Sequence, residues 1–496
     1  MVMTDRSINY CPYEIHQAFH PEDLAGHFVL AAEPAHVPPT WTQFQLGCRH
    51  LACEPRLPCF RLVDKRAQPL GFLLGFPINE AGDLLVDTSR EVVVANPAEI
   101  EPWLYALAGR WLAILITPDF ERVYMDPGGS LCAVYSESAG IVATSSGLIP
   151  YSADTGDRTE LIAQMPILSQ VSMYPIGITP RYGVERLLPN HYLDLSTWRP
   201  HRHWPQKPIA TNPDTETVTR EITALTRRHI AAVAAQYPLQ MSMTAGRDSR
   251  ALLAVSRPLL ERAQFFTTSQ PTRTAELDVH IAKRIARTHR LDHRVVPFIV
   301  PDEIERHLWY HRTGCSIGNP SSAECTRMIK QLDPERAYLP GFLGELSRYV
   351  YVNFLSTLVP EWDGRTVTPE HLMALSLAPR TEEAMARMTG WLDSVQLENV
   401  DQIINLFYLE QRVGCWVAIN TSAFADTYRF ELWPFNNRRI VELMLSLPVE
   451  FKMANGMHTA IMDQEWPELL DIPLNKTPLR MRIRRKATRY LKALSQ

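Results

Sequence analysis

The sequence has little cysteine and little excess charge of either sign. Only 8 cysteines occur in 496 residues, and the formal net charge at pH 7 is −4. Sparse cysteines in a chain of this length are typical of reduced thiols in a cytoplasm rather than of a disulfide framework. Proteins that bind nucleic acid usually need a basic excess to displace counterions from phosphates. The charge balance therefore argues against a nucleic-acid partner.

Long apolar runs and a recognisable targeting segment are also missing. No stretch of about 18 apolar residues occurs, so no membrane span is expected. The first residues, MVMTDRSINYCPYEIHQAF, lack a basic region followed by an apolar one, which argues against a secretory leader. We therefore expect a cytoplasmic protein.

The first 200 residues have the pattern of a β-rich domain. Hydrophobic residues make up 46% of the chain and charged residues 21%, which is ordinary for a globular protein. At this length two or three domains are expected. Turn residues separate short apolar runs, which predicts strands at 70–76, 84–86, 92–95, 111–117, 122–125, 133–135 and 141–145. The proline-rich stretch 200–213 is predicted to be a linker.

From residue 215 onward, helix and strand patterns alternate. Apolar residues at helical spacing predict a first helix over 215–236. The following strand, helix, strand, helix and strand are predicted at 239–244, 251–260, 265–268, 275–288 and 293–296. This order predicts an α/β fold with a parallel sheet and helices on its faces. Beyond residue 300 the chain is predicted to be mostly helical.

The loop from Thr244 to Ser249 is the most informative stretch. A predicted strand ends there in a small-residue turn, and a helix begins at once. Such a turn directs free backbone N–H groups and the positive end of a helix dipole at one point, where pyrophosphate would fit. Asp248 would repel phosphates unless Mg²⁺ lay between them. The alternative is an ordinary turn in which polar side chains cap a helix.

This loop resembles the SGGxDS pyrophosphate loop of the asparagine synthetase family, which includes β-lactam synthetases and lasso-peptide cyclases. Thr244 and Ala245 replace the first Ser and Gly of that motif, whereas Gly246, Asp248 and Ser249 match it. Weaker matches follow in the family's order over nearly the whole chain, at 109–114, 124–135, 142–148, 182–192, 277–293, 340–346, 433–443 and 467–476.

The resemblance implies two domains and a reaction. Residues 1–205 would form a degenerate, glutaminase-like αββα sandwich of the Ntn-hydrolase type. Residues 206–496 would form a PP-loop ATP pyrophosphatase-like domain with a parallel sheet and a helical carboxyl-terminal part. With ATP and Mg²⁺, such a ligase adenylates a carboxylate, releases pyrophosphate and forms an amide bond. Its partners would be a small molecule or peptide carrying the carboxylate and an amine acceptor, and a homodimer is one assembly it could form.

The resemblance also assigns roles to particular residues. Asp248 and Glu345 would hold the metal. Lys476 would neutralise charge on the α-phosphate and the departing pyrophosphate, the alternative being a surface lysine. Asp278 would belong to the same neighbourhood. The residues that would contact ATP and pyrophosphate are Met243, Thr244, Ala245, Gly246, Arg247, Asp248, Ser249, Thr267 and Gly341.

Two departures from the family pattern limit these expectations. Val2 stands where glutamine-hydrolysing members carry a nucleophilic Cys, so no glutamine hydrolysis is expected. Phe342 stands where relatives carry a Glu or Tyr, and its side chain cannot transfer a proton. Glu410, Tyr408 and Glu324 are the candidate bases, each weighed against a plain structural role. A β-lactam-synthetase-like or lasso-cyclase-like role in specialised metabolism, a non-catalytic nucleotide-binding scaffold and an ammonia-using asparagine synthetase remain open.

Overall fold

A computed structural model describes residues 11–169, 172–318 and 320–474 of the chain. The strands are β1 (Phe28–Ala31), β2 (Thr42–Leu46), β3 (Arg49–Cys53), β4 (Cys59–Val63), β5 (Pro69–Ile78), β6 (Val92–Val93), β7 (Ala108–Ile116), β8 (Glu121–Met125), β9 (Val134–Ser136), β10 (Ile141–Ala143), β11 (Ser172–Met173), β12 (Glu185–Arg186), β13 (His191–Asp194), β14 (Arg199–Arg202), β15 (Leu239–Ser242), β16 (Ala263–Ser269), β17 (His293–Pro297), β18 (Ile317–Gly318), β19 (Ala337–Tyr338) and β20 (Phe430–Glu431).

The helices are concentrated in the second half of the chain. No helix within the described ranges is both long enough and apolar enough to cross a membrane. The α-helices are α1 (Pro12–Gln17), α2 (Ile100–Ala106), α3 (Thr159–Gln164), α4 (Thr215–Gln236), α5 (Arg247–Val255), α6 (Arg273–His289), α7 (Glu303–Arg312), α8 (Pro320–Ala323), α9 (Thr326–Ile329), α10 (Val350–Leu358), α11 (Pro369–Ser376), α12 (Glu382–Asp393), α13 (Val400–Phe407), α14 (Ala418–Ala423), α15 (Arg438–Ser446), α16 (Val449–Met453) and α17 (Gly456–Glu465), with a π-helix at Tyr408–Val417 between α13 and α14.

Two sheets of the first 202 residues pack face to face. The first has the order β12-β9-β10-β1-β3-β2, and the second has the order β14-β13-β8-β7-β5-β4-β6. Neighbouring strands are antiparallel except for the parallel pair β4 and β6. Phe28 and Leu51 of the first sheet share one buried cluster with Phe72 and Ile114 of the second. The predicted β-rich domain is therefore a two-layer sandwich, in which 84–86 makes only a single bridge from Leu84 to Ile78.

The helical layers expected outside this sandwich are much reduced. The outer face of the second sheet is covered by the seven-residue helix α2, through Ile100 and Leu104. The outer face of the first sheet is covered by turns, with Trp41 and Leu148 packed against it. Prolines and turn residues interrupt the connecting segments, which prevents long helices there. The described residues therefore have less helix outside the two sheets than the predicted αββα arrangement requires. The domain boundary after residue 205 stays a prediction.

The second half contains the predicted parallel sheet. Its order is β17-β16-β15-β19-β20, and each neighbouring pair is parallel. Helix α4 has the predicted bounds, whereas α5 begins four residues earlier than predicted and ends at Val255, where a 3₁₀ turn containing Pro258 follows. Strands β19 and β20 were missed because two residues are too few to show a period. The chain is therefore a mixed α/β protein with a parallel sheet.

A buried polar contact joins the sandwich to the second half. The Asn436 side chain donates to Asp126 Oδ1 at 2.7 Å and to the Gly109 carbonyl at 2.8 Å, and it accepts from the Gly128 amide at 3.0 Å. Asp126 and Asn436 are fully buried. Leaving either side chain unpaired would cost the desolvation of a buried polar group, so this contact fixes how the two parts dock.

Six buried histidines should make the protein less stable in mild acid. Burial lowers the pKa of each below the ordinary 6.5, to about 3 for one and about 4 for three others. They are His16, His27, His191, His203, His229 and His311. Below pH 6.5 the unfolded chain binds protons that the folded chain excludes, so stability is lost as the pH falls toward 4.

Denaturant unfolding at pH 7.5 and pH 5.5 tests this expectation. We expect the free energy of unfolding to fall by about 1 kcal/mol per histidine. Glu345 acts in the opposite sense, since its pKa is raised to about 7. The raised pKa values of the buried carboxyls of Asp126, Asp401 and Glu431 act in the same direction as that of Glu345, so the expected fall is smaller than the histidines alone would give. Equal stability at the two pH values would contradict the expectation.

Candidate functional site

The loop between β15 and α5 is shaped by its own side chains. The hydroxyls of Thr244 and Ser249 lie 2.8 Å apart, and the Gly246 amide donates to Thr244 Oγ1 at 3.0 Å. The Thr244 hydroxyl thus holds the turn together from within the loop. The Ala245 amide is also occupied, because it donates to Asp278 Oδ1 at 2.8 Å. The first-turn amides of α5 have no partner inside the helix and are suited to receive an anion.

A second segment packs directly onto this loop from the neighbouring strand. It follows β19 and runs from Gly341 to Glu345. A Cβ added at Gly341 would lie 3.1 Å from the Asp248 Cβ, and one added at Gly344 would lie 2.7 Å from Asp248 Oδ1. A side chain at Gly344 would therefore force Asp248 to shift, and one at Gly341 would press tightly against it. The close approach also brings Glu345 beside Asp248.

The two acids influence each other electrostatically. Burial and the nearby charge of Asp248 raise the pKa of the Glu345 carboxyl to about 7. Burial would also raise the pKa of Asp248, but His458 and Arg348 outweigh it and lower that pKa. His458 Nε2 lies 2.7 Å from Asp248 Oδ1, and Arg348 Nη1 donates to Asp248 Oδ2 at 3.4 Å. Arg348 is oriented by Asn455 through a 2.9 Å bond.

His458 and Arg348 are residues that sequence reasoning missed. His458 is 210 positions from Asp248 and carries no local motif. Arg348 lies three residues after Glu345, so its position beside the acidic motif was the available signal. Both contact the oxygens of the Asp248 carboxylate.

The acidic pair has the donor chemistry of a magnesium site. Glu345 Oε2 is buried and has no hydrogen-bond partner among the described residues, while Tyr408 hydrogen-bonds the same carboxylate. No group of three or more His, Cys, Asp or Glu side chains in the described part of the chain is arranged to hold a metal. Mg²⁺ usually takes only one or two carboxylates together with phosphate and water, so Asp248 and Glu345 fit it.

A cavity of about 200 Å³ opens at the carboxyl ends of the parallel strands. Thr244, Thr267 and Asp278 line the end nearest the loop. Thr267 Oγ1 donates to the Met243 carbonyl at 2.6 Å and lies 2.9 Å from His293 Nε2. Met243 itself is buried in the core and is not among the residues that line this cavity.

A larger groove of about 880 Å³ follows the linker residues 203–213. None of the predicted site residues lines it. Of the predicted ATP contacts, Arg247 lies half-buried in the first turn of α5. The cavity at the strand ends is lined by two of the predicted ATP contacts, Thr244 and Thr267, whereas Asp248 and Glu345 are not among its lining residues.

The predicted bases fall in three different places. Tyr408 contacts the acidic pair, whereas Glu324 pairs with Arg306 at 2.5 Å on the partly exposed face of α7. Glu410 is fully buried, and Arg202 and other donors occupy both of its oxygens. The prediction of Glu410 as a base is wrong, because this buried carboxylate is fully hydrogen-bonded by cationic and polar donors and cannot reach a substrate. Lys476 lies outside the described residues.

Replacing Gly344 with Ala should damage this site. The new Cβ would stand 2.7 Å from Asp248 Oδ1 and 3.2 Å from His458 Nε2, so Asp248 must move. We expect a loss of about 1–3 kcal/mol in stability from overpacking and at least a tenfold loss of ATP-dependent activity. Gly390→Ala is the matched control, since a Cβ there meets nothing within 4 Å. Activity of Gly344→Ala equal to that of the control would contradict the packing described.

Comparisons with known proteins assign no family to this chain. No protein-family model matches it, and no curated protein is similar to it. Among solved structures it is similar to the glutamine-dependent NAD⁺ synthetase from Acinetobacter baumannii in complex with adenosine diphosphate, at 16% sequence identity and a TM-score of 0.16. The alignment covers 28% of this chain and 28% of that one. A likeness of this extent carries no functional argument.

Proposed function

We propose that this protein is an ATP-dependent, AMP-forming ligase that adenylates a substrate carboxylate and passes the acyl group to an amine. One observation carries the proposal. Asp248 and Glu345 come from loops after two neighbouring parallel strands, and they lie close together at a helix N-terminus. Thr244 and Phe342, from the same two loops, line a cavity. In open α/β sheets, ligands bind in the crevice at the carboxyl ends of the strands.

The proposed reaction has two steps. A carboxylate oxygen of the substrate attacks the α-phosphorus of ATP, the bond from that phosphorus to the bridging oxygen breaks, and pyrophosphate leaves. The nitrogen of the amine then attacks the acyl carbon, AMP leaves with both electrons of the broken C–O bond, and the nitrogen loses a proton. The first-turn amides of α5 and the hydroxyls of Thr244 and Ser249 would hold the phosphates.

Asp248 and Glu345 would hold Mg²⁺ in this site. When bound, Mg²⁺ would neutralise phosphate charge that otherwise repels the two carboxylates. His458 orients Asp248 from the side away from solvent, since its side chain is fully buried. Lys476 would neutralise charge on the α-phosphate and the departing pyrophosphate, as the resemblance implies.

The amine nitrogen must also give up a proton as the amide bond forms. Phe342 cannot serve, and its ring packs edge-on against Trp433 with centroids 5.6 Å apart. Tyr408 is the proposed proton-handling group near the acids. Burial and the nearby charge of Glu345 raise its pKa well above the ordinary value, so the phenol stays protonated and can donate. Tyr408 would therefore relay a proton, giving up its own as it accepts another, and would not act as the final base.

The test is a nucleotide product assay. The protein is incubated with ATP, Mg²⁺ and panels of carboxylic acids and amines, and AMP, ADP, pyrophosphate and phosphate are quantified. We expect AMP and pyrophosphate in equal amounts, dependent on the acid. ADP and phosphate as products would refute adenylation.

A non-catalytic nucleotide-binding scaffold is the second candidate. Its support is that both oxygens of Asp248 already contact His458 and Arg348, together with the loss of a proton-transferring side chain at Phe342. A scaffold would bind ATP but release neither AMP nor pyrophosphate with any acid. Nucleotide titration and the product assay on the same preparation therefore separate the two candidates.

A further inference from the structure

The far end of the 200 Å³ cavity contains a carboxylate that the proposed chemistry does not use. Glu431 ends β20, is 3% exposed and lines this cavity. Its Oε1 accepts from Thr421 Oγ1 and from Trp433 Nε1, each at 2.8 Å, and its Oε2 bonds to the Tyr428 hydroxyl. Because an indole N–H only donates, Oε1 must be an acceptor. The carboxylate is thus held rigidly.

Glu431 has no full counter-charge in the cavity. No Lys, Arg or His is among the described residues that line it. The charge of Arg110 reaches Glu431, but Arg110 does not line the cavity and donates to Ser422 Oγ at 3.4 Å. Burial accordingly raises the pKa of Glu431. A buried carboxylate without a cationic partner in the same cavity would be stabilised by a cation that binds beside it.

The walls around Glu431 are aromatic. Tyr338 stacks obliquely between Phe266 and Tyr428, with ring centroids 5.5 Å and 5.3 Å away. Phe342 and Phe424 complete this wall. Aromatic faces attract cations electrostatically, and they also cover the apolar stem of an organic amine.

We propose that this end of the cavity binds the acceptor substrate of the ligase, a primary amine in its ammonium form, with Glu431 as the recognition carboxylate. The bound ammonium releases one proton to solvent before its nitrogen attacks the acyl carbon, and the nitrogen loses a second proton as the amide bond forms. The inference rests on the proposed function, and it specifies which of the two substrates is recognised there. The acceptor is expected to carry an apolar stem next to its ammonium group. An acceptor with a carboxylate in that position is disfavoured, because it would face Glu431.

Calorimetric titration without nucleotide tests the inference directly. The probes are n-butylammonium, the neutral 1-butanol and the anionic butyrate. We expect the protein to bind n-butylammonium at least about tenfold more tightly than either analogue, as a hydrogen-bonded charge pair would give. Glu431→Gln keeps the size and most hydrogen bonds of the side chain and should abolish this preference.

Glu442→Gln is the matched control. Glu442 also accepts an indole N–H, from Trp204 Nε1 at 3.1 Å, but it lies outside this cavity. The control should keep the tenfold preference. If Glu431→Gln does not fold, Asn420→Lys serves instead, because Asn420 is half-buried on the cavity wall and the new ammonium would compete with the probe.

Two results would overturn the inference. One is that wild-type protein binds n-butylammonium no more tightly than 1-butanol, or not at all. The other is that Glu431→Gln or Asn420→Lys binds it as tightly as the wild type does. Since no nucleotide is present, these results are independent of AMP formation. Failure of the amine pocket and failure of the ligase proposal can thus be told apart.

Discussion

Replacing Asp248 with Asn should reduce acid-dependent formation of AMP on the order of 100-fold or more, while the protein remains folded. The amide has the shape of the carboxylate but lacks its charge, so the site would lose one of its two neighbouring acidic groups. Charged groups preorganised at the reacting phosphates typically contribute several kcal/mol to the barrier. The measurement is the initial rate of AMP release at saturating ATP and Mg²⁺.

Asp463→Asn is the control for this variant. Asp463 is exposed on α17, the helix that carries His458, so its replacement removes one negative charge without touching the site. The control should match the wild-type rate. A wild-type rate in Asp248→Asn would remove the basis of the ligase proposal, because the acidic pair would then be dispensable.

Glu410→Gln should destabilise the protein strongly, by about 3–5 kcal/mol, because it leaves a buried cation without its partner. The Arg202 guanidinium donates to the two oxygens of Glu410 at 2.6 Å and 2.9 Å, and the two side chains are 7% and 0% exposed. Asn190 and Trp391 donate to the same carboxylate at 2.8 Å and 2.7 Å. The measurement is denaturant unfolding at pH 7.

A surface ion pair supplies the comparison for this stability effect. Glu216 and Arg220 pair one turn apart on α4, with side chains 73% and 62% exposed. Glu216→Gln should change stability little, because solvent screens such pairs. Similar unfolding curves for Glu410→Gln and Glu216→Gln would show that Glu410 does not anchor the π-helix to the sandwich.

Local patterns predicted the secondary structure where the elements are long. Helix α4 has the bounds that its apolar spacing indicated, and strands β15, β16 and β17 fall within two residues of their predicted positions. Strands β19 and β20 could not be found, since two residues carry no period. The missing helices around the sandwich have a related cause: the resemblance implied layers that the proline-interrupted connections cannot form.

In the site, too, local motifs predicted some residues, whereas contacts between distant segments could not be predicted. The loop motif predicted Asp248, and the weaker acidic motif predicted Glu345, and the two residues lie together. Glu410 looked equally suitable as a base in the sequence, because an isolated acidic residue on a helix does not reveal its neighbours. Its burial against Arg202 became visible only once β14 and the π-helix were placed side by side.

By itself, the sequence determined the conformation of short segments such as the turn before α5. There Thr244, Gly246 and Ser249 bond to one another within six residues, so local chemistry suffices. Tertiary structure alone decided that His458 meets Asp248 across 210 positions and that Glu431 faces an aromatic cavity. The physical reason is that apolar periodicity encodes which face of an element is buried, whereas the identity of the side chains that meet depends on how distant elements pack.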